Sequence, residues 1–459
     1  MSTFHHISES LSEAKPKLDL KDLSICEKRL PTKLPIELYQ QILRSGVEEV
    51  NHKIRFSKDL PSSGQARSNR FLASILTLDK GTHIYLQRFL WERLGVYYDE
   101  DHTKNDLNLE KVEKGFQANR QYIKVIDSTV LSPHFTRGYL DDPNSLNNSA
   151  EIVESFQVFT RLLEGAPADQ IQEVTLGLSY SKYGHGYHRS SSGHIEQLLT
   201  TISTFKNIST LKFWKGTSCA VPNKILAQII QRLPSLENVV LKGLFWDGHS
   251  SEIGSEQEIL GSALASRRHL KSLNIGKQPD LPDPSWLKME WQGELVELAI
   301  DINEDWFPFC SIFRTSLVSL YVAGEPTTAI AIPIPSSKIV FTALKNITCE
   351  DFSPLSSFSR CPSVECLTWL LDSFKWQLFG SDLIGDFKSS ISLDGSHWPK
   401  LKWVNVPQYV VLFHPTFERY LEKYSIRLRI EHFFEWYHGI NVFSDRFSAL
   451  YPRPRVIDI

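Results

Sequence analysis

The chain has 459 residues, 41% of them hydrophobic and 22% charged, with a formal charge of −3, the balance of an ordinary folded protein. That charge offers no basic footprint for nucleic acid, no apolar run reaches the roughly 18–20 residues of a membrane span, and MSTFHHISES lacks the basic start and apolar core of a signal peptide. Six cysteines (Cys26, Cys219, Cys310, Cys349, Cys361 and Cys366) form no C-x-x-C pair and read as free thiols of a reducing compartment, cytoplasm or nucleus.

In chain order, residues 1–30 are polar, hold no sustained period and read as a disordered tail. At LPIELYQQIL the character changes. Leu34, Leu38 and Ile42 recur at i, i+4 and i+8, Leu43 widens the stripe, and Glu37 lies in the first turn, where a carboxylate favours the positive helix end. A polar insertion, 45–69, ends in a Pro/Ser/Gly loop. A second helical stripe carries Phe71, Leu72, Ile75 and Leu76, and a third carries Leu86, Phe89, Leu90 and Leu94. Together they predict a three-helix module over 31–97. The charged stretch 98–121 reads as a linker with little core, and YIKVIDSTVL (122–131) as a strand.

The next 300 residues repeat one motif. Val221–Gly243, VPNKILAQIIQRLPSLENVVLKG, is its clearest copy: an amphipathic helix with Ile225, Leu226, Ile229, Ile230 and Leu233 on one face, a Leu-Pro-Ser turn, and a strand with Leu236, Val239 and Leu241. The same apolar triplet, spaced 3 and then 2 apart, recurs at Ile171/Val174/Leu176, Ile208/Leu211/Phe213, Leu270/Leu273/Ile275, Leu295/Leu298/Ile300 and Leu317/Leu320/Val322. It continues at Leu344/Ile347/Cys349, Val364/Leu367/Trp369 and Leu401/Val404/Val406, with first positions 20–37 residues apart. Helical stripes precede several of them, at Ile195, Leu198, Leu199 and Ile202 and at Ile259, Leu260, Ala263 and Leu264, and another, 152–163, lies ahead of the first. Where the spacing falls to 20–22 residues a full helix does not fit, and a tight or 3₁₀ return is expected. Ile426, Leu428 and Ile430 alternate as a last strand. The fold class is therefore α/β, a degenerate solenoid over 122–430 with a C-terminal cap or tail at 431–459, because units this small bury their apolar faces only by stacking.

Nothing in this pattern predicts catalysis. There is no G-x-S-x-G and no H-E-x-x-H, and Gly184 and Gly186 are not followed by the Lys-Ser/Thr of a phosphate loop. His185, His188 and His194 cluster without a Cys or carboxylate of matching spacing, so no metal site is expected, and no cofactor. A partner would meet the outward strand positions: Lys212, Trp214, Lys242, Asn274, Asp301, Tyr321, Glu350 and Asn405, with Trp246 and Trp306 on adjoining loops as aromatic anchors.

Residues 34–94 resemble an F-box. The likeness rests on Leu34, Pro35, Glu37, Leu38, Ile42 and Leu43 at the start and on Leu90, Trp91 and Leu94, an L-W-x-x-L, at the end; the insertion 45–69 makes this copy long. An F-box followed by degenerate leucine-rich repeats is similar to fungal-type F-box/leucine-rich-repeat proteins. The turn Asn of regular repeats is matched here only at Asn303. The resemblance implies a non-catalytic substrate receptor. Its F-box, including Leu72 and Ile75 of the second helix, docks on a Skp-type adaptor and through it on a cullin, while the repeats hold a protein target. The alternative expectation is a leucine-rich-repeat interaction scaffold outside the ubiquitin system, with the helical module as its N-terminal cap.

Overall fold

A computed structural model describes residues 93–95, 116–127, 163–178, 200–215, 223–242, 253–276, 281–323, 339–350, 353–358, 360–370, 397–407 and 415–431, with a few isolated positions between them. Twelve strands form a single sheet in chain order: β1 (Arg93–Gly95), β2 (Val125–Asp127), β3 (Glu173–Leu178), β4 (Thr210–Lys215), β5 (Asn238–Lys242) and β6 (Ser272–Asn274). They continue as β7 (Glu297–Asp301), β8 (Ser319–Ala323), β9 (Asn346–Cys349), β10 (Cys366–Trp369), β11 (Trp403–Pro407) and β12 (Arg427–Glu431). Every neighbouring pair is parallel. The fold is thus an α/β, solenoid-like stack, as the repeated triplets imply.

The register explains the triplet. Its middle residues share one rung, Leu94–Ile126–Val174–Leu211–Val239–Leu273–Leu298–Leu320–Ile347–Leu367–Val404–Leu428. The third residue lies two further on, hence on the same face of the strand. The first residue does not fit that alternation, and the backbone shows why. Leu236, Leu270, Val364 and Leu401 each donate their N–H to a carbonyl three residues back, closing a turn that swings the side chain inward before the strand begins. One carbonyl then accepts two consecutive N–H groups of the next repeat: Glu237 O takes Lys271 and Ser272, and Lys271 O takes Val296 and Glu297. The kink adds one residue between the first and second apolar positions, and 3-then-2 spacing follows.

The returns between strands pack on the same face. Helix α1 (Asn223–Arg232) buries Leu226, Ala227, Ile229 and Ile230, and α2 (Ile253–Ala265) buries Leu260, Ala263 and Leu264, all in one core with the strand triplets. Burying each aliphatic side chain contributes roughly 1.5–3 kcal/mol, which no single repeat could collect alone. Ile259, expected on the inner stripe, is instead 40% exposed, because Leu260 and Ala263 already face the strands.

Where the spacing shortens, the returns shrink and rings replace helix. Pro284–Lys288 and Ser353–Phe358 are 3₁₀ turns, and α3 (Trp306–Ile312) is barely two turns long. Trp286, Trp291, Phe309 and Phe313 interlock with ring centroids 5.2–6.0 Å apart, and Phe307, Phe341 and Phe358 form a second cluster. Many of the chain's aromatics are therefore core. A further helix, α4 (Pro415–Glu422), lies ahead of β12 and buries Phe417 and Leu421; the sequence pattern did not reveal it.

The boundaries also move. Leu94, predicted to end the third helix, lies in β1, so the sheet starts inside the 31–97 module and not at 122. A three-residue strand has no period of its own to oppose the helical spacing upstream. The charged stretch 98–121 contributes Phe116, fully buried in the common core, and so is not wholly linker. The tail 1–30, the insertion 45–69, the histidine-rich loop 180–194 and residues 432–459 lie outside the described residues. Cys310, Cys349, Cys361 and Cys366 form no disulfide, and burial pushes the Cys361 thiol up to about 12 and raises that of Cys310 strongly, which makes these two inert core thiols.

Candidate interaction surface

Strand alternation sends the residues flanking the middle rung to the opposite face of the sheet, termed the open face, although most of its described residues from β3 to β8 are buried. One flanking rung reads Glu173, Thr210, Asn238, Ser272, Glu297, Ser319, Asn346, Cys366, Trp403 and Arg427 from β3 to β12; the other includes Lys212, Asn274, Tyr321, Thr368, Asn405 and Arg429. Much of this face is polar, though Ala299, Tyr321, Ala323 and Leu370 form a small buried apolar cluster on it, and its polar groups bond from strand to strand. Asn238 Nδ2 donates to Thr210 Oγ1 at 3.1 Å, Asn346 Nδ2 to Ser319 Oγ at 3.1 Å, and Asn405 Nδ2 to Thr368 Oγ1 at 3.0 Å and Cys366 Sγ at 3.3 Å.

The register places several predicted residues on this face, and most of them are engaged within the fold. Lys212 is 3% exposed, its Nζ 3.0 Å from Glu173 Oε1. A buried pair of this kind is dearly held, since removing either partner strands a charge away from water. Asn274 is buried, its Oδ1 accepting from the Gly276 N–H at 3.1 Å. Tyr321 is buried and donates its hydroxyl to Glu350 at 2.5 Å; burial first, then the neighbouring carboxylates, holds its phenol far above the ordinary range. Asn405 is 8% exposed, and Asp301, closing β7, is half-buried. These were expected as solvent-facing readers; they lie on the right face but serve as its internal bracing. The sequence pattern fixes which way a strand residue points, not what packs over it.

Trp306 is a plain correction. Trp306 was expected on a binding loop, but it opens α3 and is fully buried, its ring 5.5 Å from Phe307 and 5.7 Å from Phe358. A short return leaves a volume that only a large side chain fills. Asn303, the one match to the repeat family's turn Asn, accepts the Asp305 N–H at 3.0 Å and reaches Pro282 O at 3.5 Å in the preceding repeat. Trp214 and Lys242 pair in register at the far end of β4 and β5, and nothing beyond their backbone is described; Trp246 lies outside the described residues. So do Leu34, Pro35, Glu37, Leu38, Ile42, Leu43, Leu72, Ile75, Leu90 and Trp91, the predicted adaptor-binding set apart from Leu94.

Two features of the open face had no signal in the sequence. Glu297 sits between Ser272 and Ser319 in register, and burial pushes its carboxyl from an ordinary 4.5 to about 7, against a smaller opposing pull from the Ser272 hydroxyl. At the C-terminal end, Arg427 and Arg429 both lie over the Trp403 ring, 5.3 and 3.2 Å from its centroid. Alternating Arg-x-Arg on a strand reads as ordinary solvation until the neighbouring strand supplies an aromatic ring. Among the described residues no group of three or more His, Cys, Asp or Glu could hold a metal ion, and no helix is long and apolar enough to cross a membrane.

No protein-family model matches the chain, and no curated protein is significantly similar to it.

Proposed function

We propose that the chain is a non-catalytic receptor subunit of a cullin–RING ubiquitin ligase, acting in the cytoplasm or nucleus. Residues 31–97 would dock on a Skp-type adaptor, and an irregular leucine-rich-repeat surface, the open sheet face, would hold a protein target. The observation that carries the proposal is the order of parts in the sequence: an LPxEL segment and an LWxxL segment, the latter ending in β1, lead into a parallel stack whose strands repeat an L-x-x-L-x-L pattern. Four or five large apolar side chains buried at a docking surface, each contributing roughly 1.5–3 kcal/mol, suffice for stable association.

A second reading has its own support. Leu94 belongs to β1, so the end of the module is built into the first strand, as expected of an N-terminal cap on a repeat scaffold. A pull-down separates the two. Full-length chain should recover a Skp-type adaptor, and Leu34→Ala/Pro35→Ala should recover little. A wild-type chain that recovers none leaves the scaffold reading standing.

A further inference from the structure

The end of the open face is built unlike the rest. From β3 to β9 several of its polar groups are matched: Lys212 with Glu173, Asn238 with Thr210, Tyr321 with Glu350, Asn346 with Ser319. On β11 and β12 they are not. Arg427 and Arg429 share the Trp403 ring, and neither guanidinium has a carboxylate partner among the described residues. Beside them Asn405 is tied down through Nδ2 by Thr368 and Cys366, while its buried Oδ1 and the Nε of Arg429 have no hydrogen-bond partner among the described residues. Asn405 and Arg429 face each other in register.

We infer that this corner of the sheet, with Trp403 as its floor, binds an extended acidic segment of a protein partner. The inference rests on reading the open face as the target-holding surface. Two parts of the chemistry agree. Arg427 is exposed and Arg429 half-buried, so the two guanidiniums held on one indole present terminal N–H groups to carboxylates, and the stacking holds those groups in place before the partner arrives. Arg427 and Arg429 are two residues apart on one strand face, the spacing at which an extended chain carries side chains about 6.6 Å apart. The partner is therefore a segment with two Asp or Glu residues flanking one residue of either kind. A chain of net charge −3 with two arginines that meet no carboxylate among the described residues at one corner favours a local acidic contact over general polyanion binding.

The test uses the full chain and a fluorescein-labelled twelve-residue peptide alternating Glu and Ser, with a Gln-for-Glu peptide as its neutral match, followed by fluorescence anisotropy. The Glu peptide should bind at least about tenfold more tightly than the Gln peptide, and raising salt from about 50 to 300 mM should weaken it. Arg427→Gln/Arg429→Gln should abolish that difference while the variant still unfolds in one cooperative transition. Arg429→Lys, which keeps the charge and loses the planar fork, should lose part of it. Equal binding of the Glu peptide by the double variant overturns the proposal. So does a phosphoserine version of the probe, or oligouridine RNA, binding where the Glu peptide does not. Adaptor docking is measured on the same preparations. A Glu peptide that fails while the adaptor binds overturns this inference alone, and the converse overturns the receptor reading alone.

Discussion

Gly261, in the middle of α2, offers the sharpest test of how the core is assembled. The Trp286 indole lies against the helix backbone there and donates its Nε1–H to Gln257 O at 2.9 Å. A Cβ on residue 261 would stand 2.2 Å from Nε1, 2.4 Å from Cδ1 and 2.8 Å from Cε2 of that ring. Ordinary carbon contacts need about 3.5 Å, so the ring would have to move by more than 1 Å. It has nowhere to go, being fully buried and packed 5.8 Å from Phe309 and 6.0 Å from Trp291. Gly261→Ala gains up to about 1 kcal/mol of helix propensity. Against this stand overpacking, typically 1–3 kcal/mol, and a lost buried hydrogen bond worth about 1 kcal/mol with its acceptor left in the core. The net expectation is a loss of about 1–3 kcal/mol. Urea unfolding followed by circular dichroism measures it as a lower midpoint at unchanged slope. A double-mutant cycle isolates the cause: in a Trp286→Leu background the same substitution should be neutral or slightly stabilising. Equal destabilisation in both backgrounds would refute the packing argument.

Two further outcomes follow from the same core and face. Glu297 makes stability fall with pH: above 4.5 an unfolded carboxyl ionises, while the folded one keeps its proton to about 7, so stability declines through that window and levels off beyond it. The group is partly exposed, so the effect is held to about 1–2 kcal/mol; Glu297→Gln should remove that slope, and melting curves of variant and wild type that stay parallel from pH 4.5 to 8 would contradict it. Trp306→Phe should cost less than about 2 kcal/mol, because its indole N–H has no hydrogen-bond partner among the described residues, whereas Trp306→Ala should cost about 3–5 kcal/mol in a chemical melt.

Much of the stack was legible in the sequence, for physical reasons. A strand with one buried face must place apolar residues two apart, and the turn before it adds one more at a fixed offset, so Leu236/Val239/Leu241 and its relatives stood out. Helix α1 was visible because its apolar face is continuous, whereas α4 offers only Phe417 and Leu421 to a short window. Leu94 was assigned to a helix because three residues of strand cannot outweigh a helical stripe before them. The open face was legible in direction and not in state. Lys212 and Tyr321 point where the pattern said, yet their partners, Glu173 one strand away and Glu350 29 residues on, are set by register and repeat length. Trp306 was misplaced because a ring beside an acidic residue looks like a loop anchor until the short return shows the volume it fills.

The account turns on whether the N-terminal module delivers this stack to a ligase. Isothermal titration of a purified Skp-type adaptor into the full-length chain measures that directly. The account predicts saturable binding at one adaptor per chain, weakened at least about tenfold by Leu34→Ala/Pro35→Ala, which corresponds to about 1.4 kcal/mol. A flat titration with the folded wild-type chain would contradict it.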